Sequence, residues 1–413
     1  MLSRRALVIQ LPAVALAASW AGRTLAAGKR ITVGISLPLT GADADDANLI
    51  KDGAMLAIDE ANAKGGVAGY NIDVMVLDDG TATAGQYDPA QAATNARKMV
   101  ADDKVVAAIG PQMSGSGKAM APILSEGNLA TITPSSTNPD ITDPKFAAQF
   151  DPGGKPIYFR TVTTDAFQGP NMANYFAQTL KVKRVYVLDD SGAYGVGMAN
   201  AFAAQGKKVG MDVLGHDQLD PREADYTTIL TKIKGLNPDG LYYGGVAQAG
   251  VKLAKQCYDI LPKIVKGGGD GMYSSSVLSG AGFPAFANWY ATIAAPYVFN
   301  QPRVQEWSKR FQAKYGRAPS GYSVTAYDAA LVIFDAVKRV AASGKPVTRS
   351  AVRDAVQSTR LETLQGMVNF DKNGDIENRV VSVFQVLPQR DPKYPVGDVL
   401  HQLRYLGVAP QTA

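Results

Sequence analysis

The chain has 413 residues, 46% hydrophobic and 19% charged, with a formal net charge of +5. That length exceeds one ordinary core and predicts two lobes of a globular protein. Beyond the N-terminus no apolar run is long enough to cross a bilayer, and two histidines with one cysteine are too few for zinc sites, Ser-His-Asp triads or Cys-His pairs.

The first segment pairs Arg4 and Arg5 with an uncharged, mostly apolar run from Ala6 to Gly22. The small residues Ala26 and Ala27 follow. Charged start, apolar middle and small-residue end predict a secretory signal peptide over 1–27, with a twin-arginine route open beside the general one. The segment carries Arg4, Arg5 and Arg23 and no acid, so its removal lowers the net charge from +5 to +2. The basic balance is therefore no argument for nucleic acid binding. No cysteine stands directly after the segment, which argues against a lipid-anchored start. Cys257, in KLAKQCYDIL, reads as a small buried apolar residue of a helix.

Ile31, Val33, Ile35 and Leu37 alternate as a strand and run into a loop at Thr40-Gly41. Ile50, Ala54, Ala57, Ile58 and Ala61 recur at helical spacing, Gly65-Gly66 stops that helix, and Ile72, Val74 and Val76 begin a second strand. Strand, helix and strand require a parallel sheet, whose ligands sit beyond the carboxyl ends of the strands. The alternation continues through strands at Val105–Ile109, Leu129–Thr133 and Tyr158–Val162. A helix is expected from near Gly169, with Pro170 at an early position. The pattern then restarts: strands at Arg184–Asp189, Val209–Leu214 and Gly240–Tyr243, with helices between. Late helices near 304–314, 323–342 and 349–358 and the strand-like MVNF and VVSVFQV are too few for a third lobe and are expected to complete the first two. The fold class is α/β: two Rossmann-like lobes with parallel central sheets. They are joined by a multi-crossover hinge, with a cleft between them.

Several loops carry candidate chemistry. SGSGKA (114–119) fails the Walker pattern, since Gln112 and Ala119 stand where Gly and Ser or Thr are required. A Gly/Ser loop opening a helix still offers backbone N–H groups to an anion. A second loop after a strand, TPSSTNPDIT, adds the hydroxyls of Ser135, Ser136 and Thr137, and the two together predict a carboxylate clamp. DKNGDIENR (371–379) has calcium-loop oxygens at its start, but Ile376 and Ser382 break the pattern and a polar turn is expected. Of the acids near the cleft (Asp43, Asp45, Asp46, Asp270), Asp270 sits in a glycine-rich loop suited to a ligand ammonium. Tyr194 offers a ring face or a hydroxyl. His216 and His401 are expected at the surface or in loops.

These segments resemble, in order, a known family. VGISLPLTG, EANAKGGVAGY, VLDD, AAIGPQMSG, TITPSSTNPDIT, FRTVTTDAFQGP, DDSGAYGVG, LYYGGVAQAG and MVNFDKNGD are similar to the type I periplasmic solute-binding proteins of bacterial ABC importers. The likeness is greatest to the branched-chain amino acid binding group, and it covers nearly all of the exported chain. The resemblance implies an N-terminal ligand-docking lobe of 28–163 plus 297–368 and a C-terminal closing lobe of 164–296 plus 369–413. It implies that Ser114, Ser135 and Thr137 hold the ligand carboxylate and amino group. Tyr194 would close over the ligand from the far lobe, and Asp270 would meet its ammonium where glutamate is usual. Val246 stands where a tyrosine is frequent, and acids around Asp45 and Asp46 replace a frequent aromatic. The side-chain pocket is thus expected to differ from a leucine pocket.

The implied role is a monomeric periplasmic receptor, not an enzyme, with no cofactor, metal or nucleic acid. It closes on a small amino-acid-like ligand and delivers it to a membrane permease. A sensor of the same fold binding an amide, urea or aromatic acid is the alternative reading, and an exported α/β hydrolase lacks the histidines it would need.

Overall fold

The structure, a computed structural model, describes residues 29–411. The expected signal peptide lies outside them. The chain begins with β1 (Lys29–Leu37), α1 (Ala44–Ala63), β2 (Tyr70–Asp78), α2 (Pro89–Ala101) and β3 (Val105–Ile109). Next come α3 (Ser114–Glu126), β4 (Thr131–Thr133), the short α4 (Ala147–Phe150) and β5 (Tyr158–Arg160). The five strands align as β2-β1-β3-β4-β5, every neighbouring pair parallel. The alternation seen in sequence sets the register: Ile31 lies opposite Ile72 and Val33 opposite Val74.

A second series contains α5 (Asp165–Gln178), β6 (Arg184–Asp189), α6 (Ala193–Lys208), β7 (Asp212–Gln218), α7 (Thr227–Gly235) and β8 (Gly240–Gly244). It continues with α8 (Ala247–Ile260), β9 (Val265–Gly268), α9 (Ser275–Ala281) and β10 (Tyr290–Ile293). α5 begins at Asp165, ahead of the expected start near Gly169, so Pro170 lies inside the helix. The carbonyl left without its helical N–H partner belongs to Ala166, which is exposed and open to water.

The remaining chain forms α10 (Pro302–Tyr315), α11 (Gly321–Ala342), α12 (Arg349–Gln357), β11 (Arg360–Thr363), β12 (Gly366–Asn369), β13 (Ser382–Val386), α13 (Val399–Gln402) and β14 (Leu403–Val408). α11 packs on α1 and α12 on β3, so both helices cover the first sheet. The second sheet runs β14-β13-β10-β9-β8-β6-β7. Its strands β6 to β10 are parallel, but β13 and β14 return antiparallel on one edge. The expectation of a parallel sheet thus holds for its βαβ part only. The MVNF strand completes neither large sheet; it pairs with β11 as a separate hairpin.

One close approach fixes the start of α11. A Cβ on Gly53 of α1 would stand 2.1 Å from the Ser323 carbonyl oxygen, so only glycine lets the two helices meet there. Ser320 and Ser323 cap α11 reciprocally, and Ser323 Oγ donates to Leu49 O at 2.9 Å. Tyr322 is held between these anchors.

Cys257 is fully buried in α8, and burial pushes its thiol up to about 12. The 371–379 segment is a turn: Asp371 Oδ1 accepts the N–H groups of Asn373 and Asp375. Neither histidine sits in a bare loop. His216 lies on β7 at 2.7 Å from Asp189, and His401 lies in α13 at 2.7 Å from Asp398, stacked on Tyr394.

Candidate functional site

Six loops leaving parallel strands supply the walls of one cavity. β1 leads to Asp43 and Asp46, β3 to Gln112, Met113 and Ser114, and β4 to Ser135. From the second sheet, β6 leads to Tyr194, β8 to Val246, and β9 to Asp270, Gly271, Tyr273 and Ser274; Tyr322 enters from α11. The cavity, counted out to its mouth, measures about 450 Å³. This is where ligands of open parallel sheets lie, because adjacent strand ends diverge and leave a crevice.

Asp270 is its most constrained acid. Its Oδ1 accepts from Tyr194 Oη at 2.6 Å and Gln168 Nε2 at 2.8 Å, and Oδ2 accepts from Tyr322 Oη. Gln168 is itself oriented by Thr292, whose hydroxyl donates to Gln168 Oε1 at 2.9 Å. Burial, then the adjacent Asp270 charge, hold both tyrosine hydroxyls protonated, so they act as donors. Among the described residues Asp270 has only neutral hydrogen-bond partners, and burial raises its pKa. Behind it lies Asp165, raised first by burial and then by the charge of Asp270. Of this close pair of carboxyls, one readily keeps its proton.

The hydroxyl loops divide their work. Ser114 opens α3, and its preceding residue, Met113, provides no side-chain cap, so the first N–H groups of that helix face the cavity region uncapped. Ser114 Oγ accepts from Asn138 N at 3.2 Å, and Ser135 Oγ donates to Gln112 O at 3.3 Å. Ser114 and Ser135 line the cavity; Ser136 and Thr137 do not. Three consecutive hydroxyls cannot all face one way. Ser136 Oγ takes the Tyr158 hydroxyl at 2.9 Å and reaches Ser114 at 3.4 Å, and the Thr137 hydroxyl lies by Asp165.

Two acids at the start of α1, Asp43 just before it and Asp46 in its first turn, face the second sheet's helices. Asp46 accepts from Ser274 Oγ at 2.5 Å and from the N–H groups of Ser275 and Ser276, so it satisfies the start of α9. Asp43 Oδ1 accepts from Ala247 N at 3.3 Å at the start of α8, where Asp190 Oδ2 accepts from Val246 N at 2.9 Å. Val246 cannot cap with its own side chain, and these two carboxylates stand in.

Sequence reasoning did not single out Tyr322, Tyr273, Gln112, Met113, Gly271 or Ser274. The signal for Tyr322 was an aromatic directly after the helix-start residues Ser320-Gly321, which helical periodicity assigns to the core. Among the described residues no cluster of His, Cys, Asp and Glu is arranged to hold a metal, and no helix is long and apolar enough to span a membrane.

Two strand-end crevices facing each other over one cavity define a solute-binding protein. Residues 30–390 match the family described as periplasmic binding protein, and the chain belongs to it. The "Leu/Ile/Val-binding protein homolog 3" of Brucella melitensis is 29% identical over 91% of this chain and 96% of its own length. A leucine binding protein from Thermotoga maritima has a solved structure that superposes with a TM-score of 0.78 at 25% identity, covering 92% of this chain and 98% of its own. A solute binding protein from R. palustris, solved with benzoate, reaches 0.75 at 21% identity over 93% and 98%, a likeness of fold alone.

Proposed function

We propose that this chain is the extracytoplasmic receptor of an ABC importer and binds an amino acid in the cavity between two lobes. The observation that carries this reading is the buried Asp270 carboxylate, aimed at the cavity with neutral partners only. A ligand ammonium is the charge it lacks. Ser114, Ser135 and the uncapped start of α3 are suited to the ligand carboxylate, and Tyr194 to covering it from the far side. Ser136 and Thr137 serve by holding that loop, and Val246 and Asp46 by shaping the side-chain wall. The names of the relatives support an amino acid as the ligand class.

The docking lobe is 28–163 with 297–368, and the closing lobe is 164–296 with 369–413. Hydrogen bonds that Asp46 accepts from the start of α9, and Asp43 from the start of α8, join them, so they form on closure. Residues 1–27 direct export, and the closed monomer presents its ligand to a permease.

The test is calorimetric titration with the amino acid that most raises the melting temperature in a screen. Asp270→Ala is expected to weaken binding more than tenfold, since a charged hydrogen bond contributes about 1.5–3 kcal/mol. A variant that melts cooperatively and binds as the parent does would end the role of Asp270. Turnover of any ligand by the purified protein would revive the enzyme reading.

A further inference from the structure

The cavity holds a second buried carboxylate, and one of its oxygens has no partner. Asp43 precedes α1, is 2% exposed and lines the cavity. Its Oδ1 receives Ala247 N, while Oδ2 makes no hydrogen bond with any of the described residues. Among the described residues, the charged groups that act on it most are acids: Asp46 on α1, Asp79 after β2 and Asp190 after β6, with the Tyr87 phenol among them. Asp46 and Asp190 are occupied by the N–H groups that start α9 and α8; Asp79 is buried with neither oxygen hydrogen-bonded among the described residues, but it does not line the cavity. Among the described residues, no lysine or arginine is among the largest influences on these four carboxyls.

Burial and then the charge of Asp46 push Asp43 up to about 7, and burial pushes Asp79 to about 7 and Asp190 to about 6. Four carboxyls brought together without a cation form an unbalanced site, and a positive group seated beside Oδ2 balances it. An aliphatic side chain in the same place would leave Oδ2 dry and unpaired. The neighbouring walls suit a cationic side chain with an apolar stem. Val246 and Met113 offer apolar surface, and Tyr194, Tyr273 and Tyr322 offer aromatic rings.

We propose that the cavity selects an amino acid whose side chain ends in a positively charged hydrogen-bond donor, an amine or a guanidinium, received by Asp43 Oδ2. The inference rests on the reading of the site as an amino acid receptor and specifies the side chain that it accepts. The α-ammonium goes to Asp270 and the distal cation to Asp43, which gives two acidic anchors in one cavity.

The experiment is titration of the exported protein, stripped of any copurified ligand, with lysine, ornithine, arginine, glutamine and leucine. At least one of the three cationic amino acids is expected to bind tenfold or more tightly than leucine and glutamine. In Asp43→Asn that ratio is expected to fall at least tenfold. Leucine or glutamine binding as tightly as the best cation would overturn the proposal, as would an Asp43→Asn variant that leaves the ratio where it was. The wild-type panel decides by itself if the variant does not fold. Leucine binding that depends on Asp270 without cation preference removes this inference alone. Failure of every amino acid to bind removes the receptor reading and this inference together.

Discussion

Replacing Arg160 by methionine is expected to destabilise the protein by about 3–5 kcal/mol in chemical denaturation, and to loosen ligand binding with it. Arg160, at the end of β5, has a side chain with no solvent exposure. Its Nε donates to Asp375 Oδ1 at 2.7 Å, one terminal nitrogen to Ser136 O at 2.6 Å, and the other to Asn138 O at 2.8 Å and Thr142 Oγ1 at 3.1 Å. The guanidinium fork thus ties the 133–142 loop to the turn at 371–379. Methionine fills the volume but leaves two buried carbonyls unpaired and removes the counter-charge of Asp375, whose side chain is only a quarter exposed. Ser135 is carried by the same loop, so binding should weaken even at temperatures where the variant remains folded. Asp375→Asn keeps an acceptor for Nε and should lose less. A methionine variant within 1 kcal/mol of the parent would show that the loop is held by its other bonds.

Arg160 also marks where sequence reading stopped. The strand YFR is short, and its partner stands 215 positions away in a turn, so no local spacing connects them. The strand-end loops were legible because an apolar run ending in Gly, Ser or Asp is a local signal. That signal located Ser114, Ser135, Tyr194, Val246, Asp46 and Asp270 at the ends of β1, β3, β4, β6, β8 and β9. The side chains that complete the cavity depend on packing between distant helices. Tyr322 reaches Asp270 because Gly53 lets α11 lie against α1, a contact between helices far apart in sequence. Within the 133–142 loop, residue type was readable but direction was not, so Ser136 and Thr137 resembled Ser135. The edge strand β14 escaped notice because LRYLGV is half exposed and interrupted by Gly407 at a φ of +124°.

The ligand-free protein is expected to lose stability as pH rises from about 5 to 8. Asp43 and Asp79 are pushed up to about 7, and Asp190 and Asp328 to about 6, each first by burial. Asp165 is raised as well, by burial and by Asp270. In the unfolded chain all of these ionise near pH 4. Between pH 4 and their folded values the native state therefore binds more protons than the unfolded state, and its stability falls with rising pH. Each such carboxyl contributes up to about 1.4 kcal/mol per pH unit over its own interval, so stability is expected to fall steadily toward pH 8. The opposite sign applies at acid pH. Asp217, held low by its bond from Lys232, and Asp220, held at about 2 by Arg222, stabilise the folded state above pH 4 and lose that effect below it. The maximum should lie near pH 4–5, below the usual range for globular proteins. Urea denaturation across pH 4–8 measures it, and a curve that is flat or rises toward pH 8 would mean these carboxyls are ionised when buried. A cation at Asp43 replaces the proton that the group otherwise keeps. With such a ligand bound, the fall between pH 5 and 7 should be shallower than with an amino acid of uncharged side chain, which reaches Asp270 but leaves the contribution of Asp43 in place.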